Sequence, residues 1–159
     1  MKHIKLFEEI SEYYHKYNIK LMLNAYLETA IWIESDNKDL DDKTIWNFSD
    51  ESRDQARTEI EWFLDNAGDV FDGVSDTTIA HDLWLTRNGH GAGFFDRNYD
   101  EDVLELLEDL AKELGDICLY VGDNEELYFD CNSERYKKFD LEKYKKEKEL
   151  QRDTKKYNL

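Results

Sequence analysis

His81, Asp82, His90 and Asp96 bring two imidazoles and two carboxylates into one short stretch, and Arg87 and Arg97 add two guanidiniums. Imidazoles and carboxylates are metal donors, and a guanidinium grips an anion through parallel N–H bonds. One reading of the stretch is therefore a ligand site. Arg87, His90 and Arg97 would hold a small anion or nucleotide, and Asp96 or His81 would move a proton. The spacing does not support a metal centre, because His81 and His90 stand nine apart with no HExxH, CxxC or paired-acid signature beside them. The other reading is structural. Asn88 and the glycines Gly89, Gly91 and Gly93 permit a tight turn and a close backbone approach. Arg87 and Arg97 then pair with carboxylates such as Asp82, Asp96 or Asp123.

No other segment carries a catalytic signature. Gly89-x-Gly91-x-Gly93 lacks the spacing and the preceding βαβ unit of a dinucleotide fingerprint. There is no GxxxxGK phosphate loop. Asp39-Leu40-Asp41-Asp42 lacks the spaced ligands and turn glycine of a calcium-binding EF-hand loop. Cys118 and Cys131 sit in strand-like segments and read as small buried apolar residues, without the basic surroundings that activate a thiolate. These absences point away from an enzyme and call for no catalytic residue, metal or cofactor.

The elements around the stretch follow from periodicity. Residues 4–17 place Ile4, Phe7, Ile10, Tyr14 and Tyr17 near one helical face. Ile19, Met22, Leu23, Tyr26, Leu27, Ala30, Ile31 and Ile33 predict a buried helix over 19–33. A polar connection follows over 34–48, held to the body by Trp46 and Phe48. Ser49 caps the next helix, Ala56, Ile60, Phe63, Leu64 and Ala67 line it, and Gly68 closes it. Residues 69–80 carry a helical turn or two. Leu83, Leu85 and Arg87 then alternate with Trp84, Thr86 and Asn88, which predicts a strand, and Asn88-Gly89 predicts a hairpin turn returning through 93–97. Asp100 caps a strongly amphipathic helix lined by Val103, Leu106, Leu107, Leu110, Ala111 and Leu114 and ended by Gly115. Residues 118–121 and 127–129 make a second hairpin. The fold class is α+β: several helices on a small antiparallel sheet of two hairpins, 83–97 and 117–130. Residues 1–135 form one acidic globular domain, and 136–159 form a basic C-terminal helix or tail.

The run from Trp84 through Leu85-Thr86-Arg87-Asn88-Gly89-His90-Gly91-Ala92-Gly93-Phe94 to Asp96-Arg97, with Tyr120-Val121-Gly122-Asp123 downstream, resembles a family of small bacteriophage and prophage proteins. The likeness covers roughly residues 22–130. It implies a viral or mobile-element origin and assigns no residue a role.

Charge is the strongest compositional signal. The chain holds 38 Asp and Glu against 21 Lys and Arg, a net charge of -17 over 159 residues. The stretch 83–95 has no carboxylate, so the acids crowd into its flanks. Carboxylates set along helices present an array like the phosphates of a nucleic acid to a basic groove. The predicted array comprises Glu101, Glu105, Glu108 and Asp109 on one helix and Glu51, Asp54, Glu61 and Asp65 on another. Asp36, Asp39, Asp41, Asp42, Asp69, Asp72 and Asp76 extend it from loops. The alternative is that acids serve solubility alone. Joined to the phage resemblance, the charge makes the expected function inhibition of a basic, nucleic-acid-binding host protein by DNA mimicry. No direct contact with nucleic acid is expected. No run of about 18 apolar residues predicts a membrane span, and the N-terminal residues lack the apolar core of a signal peptide, so the expected location is the host cytoplasm.

Overall fold

The computed structural model describes residues 16–130 and positions 143, 146, 147, 149–151, 153 and 154. The helix expected over 4–17 lies outside them apart from Lys16 and Tyr17. So does Cys131, and so does most of the tail, whose described positions are helical and exposed.

Four α-helices and one two-stranded antiparallel sheet make up the described body, in keeping with the α+β expectation. Helix α1 (Ile19–Ile33) starts at Asn18, whose side chain accepts the Leu21 N–H at 3.1 Å. It buries Met22, Leu23, Tyr26, Leu27 and Ala30 at steps of three and four. Helix α2 (Asp50–Ala67) has Ser49 at its N-cap and Gly68 at φ 70° past its end, and both were legible in the sequence. Helix α3 (Asp76–Arg87) is capped by the Ser75 side chain and packs most extensively on α1. Helix α4 (Glu101–Leu114) buries Leu107, Ala111 and Leu114 and ends at Gly115, φ 77°. Asp100 stands at its N-cap without a side-chain hydrogen bond.

Strands β1 (Cys118–Val121) and β2 (Leu127–Asp130) pair Cys118 with Asp130 and Val121 with Leu127, forming the predicted second hairpin. The Ser49 N–H donates to the Leu127 carbonyl at 3.0 Å, which fastens β2 to the start of α2. Cys118 is exposed rather than buried, because it lies on the outer face of an edge strand. In the connection between α1 and α2, Leu40, Ile45 and Phe48 are buried, whereas Trp46 is exposed beneath the Arg53 guanidinium.

The first predicted hairpin does not form. Residues 83–87 belong to α3, and Asn88-Gly89-His90 is a helix C-terminus. The Gly89 N–H donates to the Thr86 carbonyl at 3.2 Å and the His90 N–H to the Leu85 carbonyl at 3.0 Å, with Gly89 at φ 72°. This is the paired bonding of a Schellman cap. Asn-Gly marks positive φ, which a hairpin turn and a helix end both need. The alternation misled because the second half of α3 is buried almost all round: Asp82, Leu83, Trp84, Leu85 and Arg87 are all inaccessible, so no polar face reports the helical period over 82–87. The chain then returns through a single turn of 3₁₀ helix at Phe94–Asp96. Phe94 anchors that turn, fully buried and stacked on Phe63 at 5.6 Å, a burial worth about 1.5–3 kcal/mol.

Candidate functional site

Arg87 has no accessible side-chain surface. Its Nη1 donates to Glu59 Oε2 at 2.5 Å and to the Tyr26 hydroxyl at 2.8 Å. Its Nε and Nη2 donate to the carbonyls of Gly115 at 2.8 Å and Leu114 at 2.9 Å. One guanidinium therefore joins α1, α2 and α3 and satisfies the orphan carbonyls that end α4. Burial alone would favour the neutral form, but the Glu59 carboxylate and the Tyr26 hydroxyl outweigh it, and the pKa of Arg87 lies above its ordinary value. Arg87 takes the structural role, with Glu59 as partner rather than Asp82, Asp96 or Asp123. Glu59 escaped the sequence reading. The available signal was its position three after Ala56 and four before Phe63, a carboxylate inside an apolar stripe.

Asn88 is structural too. Its Oδ1 accepts the Ile117 N–H at 2.9 Å and its Nδ2 donates to the Trp84 carbonyl at 3.0 Å, tying the end of α3 to the entry of β1. Gly93, at φ 112°, lies against α3 so closely that a Cβ would stand 2.6 Å from Thr86 Oγ1. Close backbone approach is thus the reason for this glycine.

Arg97 has the expected partner. Its Nε and Nη2 donate to the two oxygens of Asp82 at 2.9 and 3.2 Å, and Asp82 is inaccessible while half of the Arg97 side chain is exposed. These hydrogen bonds, with the Asp82 charge, raise the Arg97 pKa. Beside them the Tyr99 phenol is raised by burial and by the Asp82 charge, against the opposing pull of Arg97. Asp96 and His90 are both exposed, and neither lines the cavity that His81 and Arg97 share. The arrangement Arg87–His90–Arg97 is therefore not one site, because Arg87 points into the core.

The structure instead brings His81 and Arg97 together in an open groove of about 480 Å³ between α1 and α3, with Glu28, Thr29 and Trp32 opposite. Thr29 Oγ1 donates its proton to the Ala25 carbonyl at 2.7 Å, so its 3.1 Å contact with His81 Nδ1 takes an N–H from the ring. That bond leaves Nε2 of the neutral ring as an acceptor. Trp32 is 64% exposed and leans on the His81 ring at 6.1 Å. Trp32 and Glu28 were missed in the sequence. The signal for Trp32 was a large aromatic falling off the apolar stripe of α1. Among the described residues no group of three or more His, Cys, Asp or Glu is placed to hold a metal ion.

The second candidate surface is acidic. Asp36, Asp39, Asp41, Asp42, Glu51, Asp54, Asp69, Asp72, Glu101, Glu105 and Asp109 are exposed, and Glu61, Asp65, Asp76 and Glu108 are half-buried. Several are engaged. Lys16 pairs with Asp69, Lys43 lies 3.7 Å from Asp42, and Asp76 accepts the Asn18 N–H at 2.8 Å. On α4 the carboxylates Glu101, Asp102, Glu105, Glu108, Asp109 and Glu113 accompany one cation, Lys112, and no ion pair between described residues involves any of them.

No family model, curated protein or solved structure matches this chain.

The functional reading thus rests on the surface itself. No described helix is long and apolar enough to cross a membrane.

Proposed function

We propose that this protein, of phage or prophage origin, is a stoichiometric inhibitor that occupies the nucleic-acid site of a basic host protein by imitating a polyanion. It acts in the host cytoplasm, without catalysis or cofactor, and does not itself touch nucleic acid. The observation that carries the reading is the solvent face of α4. Six carboxylates lie between Glu101 and Glu113. At about 1.5 Å of rise per residue the six span about 18 Å, a mean separation of about 3.6 Å with the single cation Lys112 among them, close to the roughly 3.4 Å per phosphate of one DNA strand. The rigid backbone holds this spacing before any partner arrives, so little ordering entropy is lost on binding. Pooled negative potential from the neighbouring loops accelerates encounter with a basic groove and weakens with salt.

The test is capture from a bacterial lysate with immobilised wild-type protein and with the triple variant Glu101→Lys, Glu105→Lys, Asp109→Lys. All three positions are exposed, so the fold should survive. The wild type should retain nucleic-acid-binding proteins that salt or added duplex DNA releases, and the triple variant should lose them. Retention that ignores both the reversal and the DNA competitor would sink the reading.

A further inference from the structure

We infer that the groove between α1 and α3 receives an arginine side chain of the basic partner, which makes it the specificity pocket of an otherwise diffuse polyanionic surface. The inference rests on the polyanion reading and adds to it a discrete contact.

Four observations converge on a guanidinium. Trp32, 64% exposed, offers an indole to a planar cation, and its ring leans on His81 at the groove wall. Glu28 lines the groove as an exposed carboxylate. His81, with its Nδ1–H on Thr29, leaves Nε2 of its neutral form as an acceptor. Arg97, the one Lys or Arg among the described lining residues, is already paired through two bonds with Asp82, so it does not turn the groove positive. The free groups therefore include acceptors and an aromatic face, set in a strongly acidic body. An anion would meet the Glu28 carboxylate, while Arg97 has already spent two of its donors on Asp82. A guanidinium stacks on an indole and spends its spare N–H groups on the carboxylate and imidazole, whereas a lysine ammonium does not stack. The groove, at about 480 Å³, is an opening wide enough for a side chain rather than a closed cavity for a cofactor.

The experiment uses the full chain and three probes, a tetra-arginine peptide, a tetra-lysine peptide and a nucleoside monophosphate. Affinities are measured by calorimetry, and the Trp32 indole N–H is followed by NMR, with Trp32→Phe supplying its assignment. Tetra-arginine should bind about threefold tighter than tetra-lysine or better, and should move the Trp32 signal. Trp32→Ala and Glu28→Gln should each erase the preference. The α4 triple reversal should weaken both peptides alike and keep it. Equal affinities with an unmoved Trp32 signal overturn the pocket, and so does a Trp32 signal that responds to a nucleotide instead. If the preference stands but the α4 reversal leaves both affinities unchanged, the pocket survives and the polyanion reading fails.

Discussion

Arg87 and Arg97 stand ten positions apart, and each pairs with a buried carboxylate, yet they occupy opposite situations. Arg87 is sealed inside, and its donors are distributed over four groups from three other parts of the chain. Arg97 spends two donors on Asp82 and keeps half of its side chain in solvent at the rim of the groove. A guanidinium that is wholly desolvated is tolerable only when its hydrogen bonds are made and a countercharge is at hand. One at the rim keeps water as a fallback. The inner arginine is therefore a fold determinant, and the outer one shapes the electrostatics of a surface that a partner can reach.

The largest effect should come from Arg87→Met, which strands Glu59 and frees two helix-end carbonyls. We expect a loss of about 3–5 kcal/mol in denaturant unfolding, and partial or full recovery in the double variant Arg87→Met, Glu59→Met, which removes both charges. A single variant no worse than the corresponding change at Arg97 would break the comparison. Arg97→Ala leaves Asp82 buried with its main partner gone, so a smaller loss of about 1–3 kcal/mol is expected from the same measurement. The glycines sharpen the local picture. Gly93→Ala combines φ 112° with a Cβ only 2.6 Å from Thr86 Oγ1, whereas Gly89→Ala meets nothing within 4 Å at φ 72°. The former should cost about 1–3 kcal/mol and the latter about 1 kcal/mol. Equal costs would mean that backbone strain alone matters at both.

The smallest effect is in alkali. Tyr99 and Tyr17 both have pKa values raised above 10.0, each chiefly by burial and then by a neighbouring carboxylate, Asp82 and Asp76 respectively. The unfolded chain gives up these protons first. Their contribution is therefore fully present below about pH 10 and is lost as pH rises through the folded values. Tyr99→Phe should make the alkaline fall in unfolding free energy shallower. An unchanged slope would place the phenol in solvent.

Much of the scaffold was legible because its signals are local. Ser49, Gly68 and Gly115 mark helix ends by chemistry that needs only their immediate neighbours, and the stripe along α1 is a property of its own sequence. The 81–97 stretch was not legible in the same way. Asn88-Gly89 announces positive φ without saying whether a strand or a helix precedes it, and the second half of α3 hides its period by being buried on nearly every side. The site was split likewise. Arg97 and Asp82 were available as partners, but Glu59 reaches Arg87 from 28 positions away. Trp32 meets His81 only because α1 packs on α3.

Sequence alone determined α1, α2 and α4, the Ser49 cap, the glycines that end α2 and α4, the 117–130 hairpin and the acidity of the chain, since each depends on residues a few positions apart or on composition. Tertiary structure alone decided which charges are interior and which face water. That assignment is made where helices meet, by desolvation and by partners distant along the chain, and it separates Arg87 in the core from Arg97 at the groove.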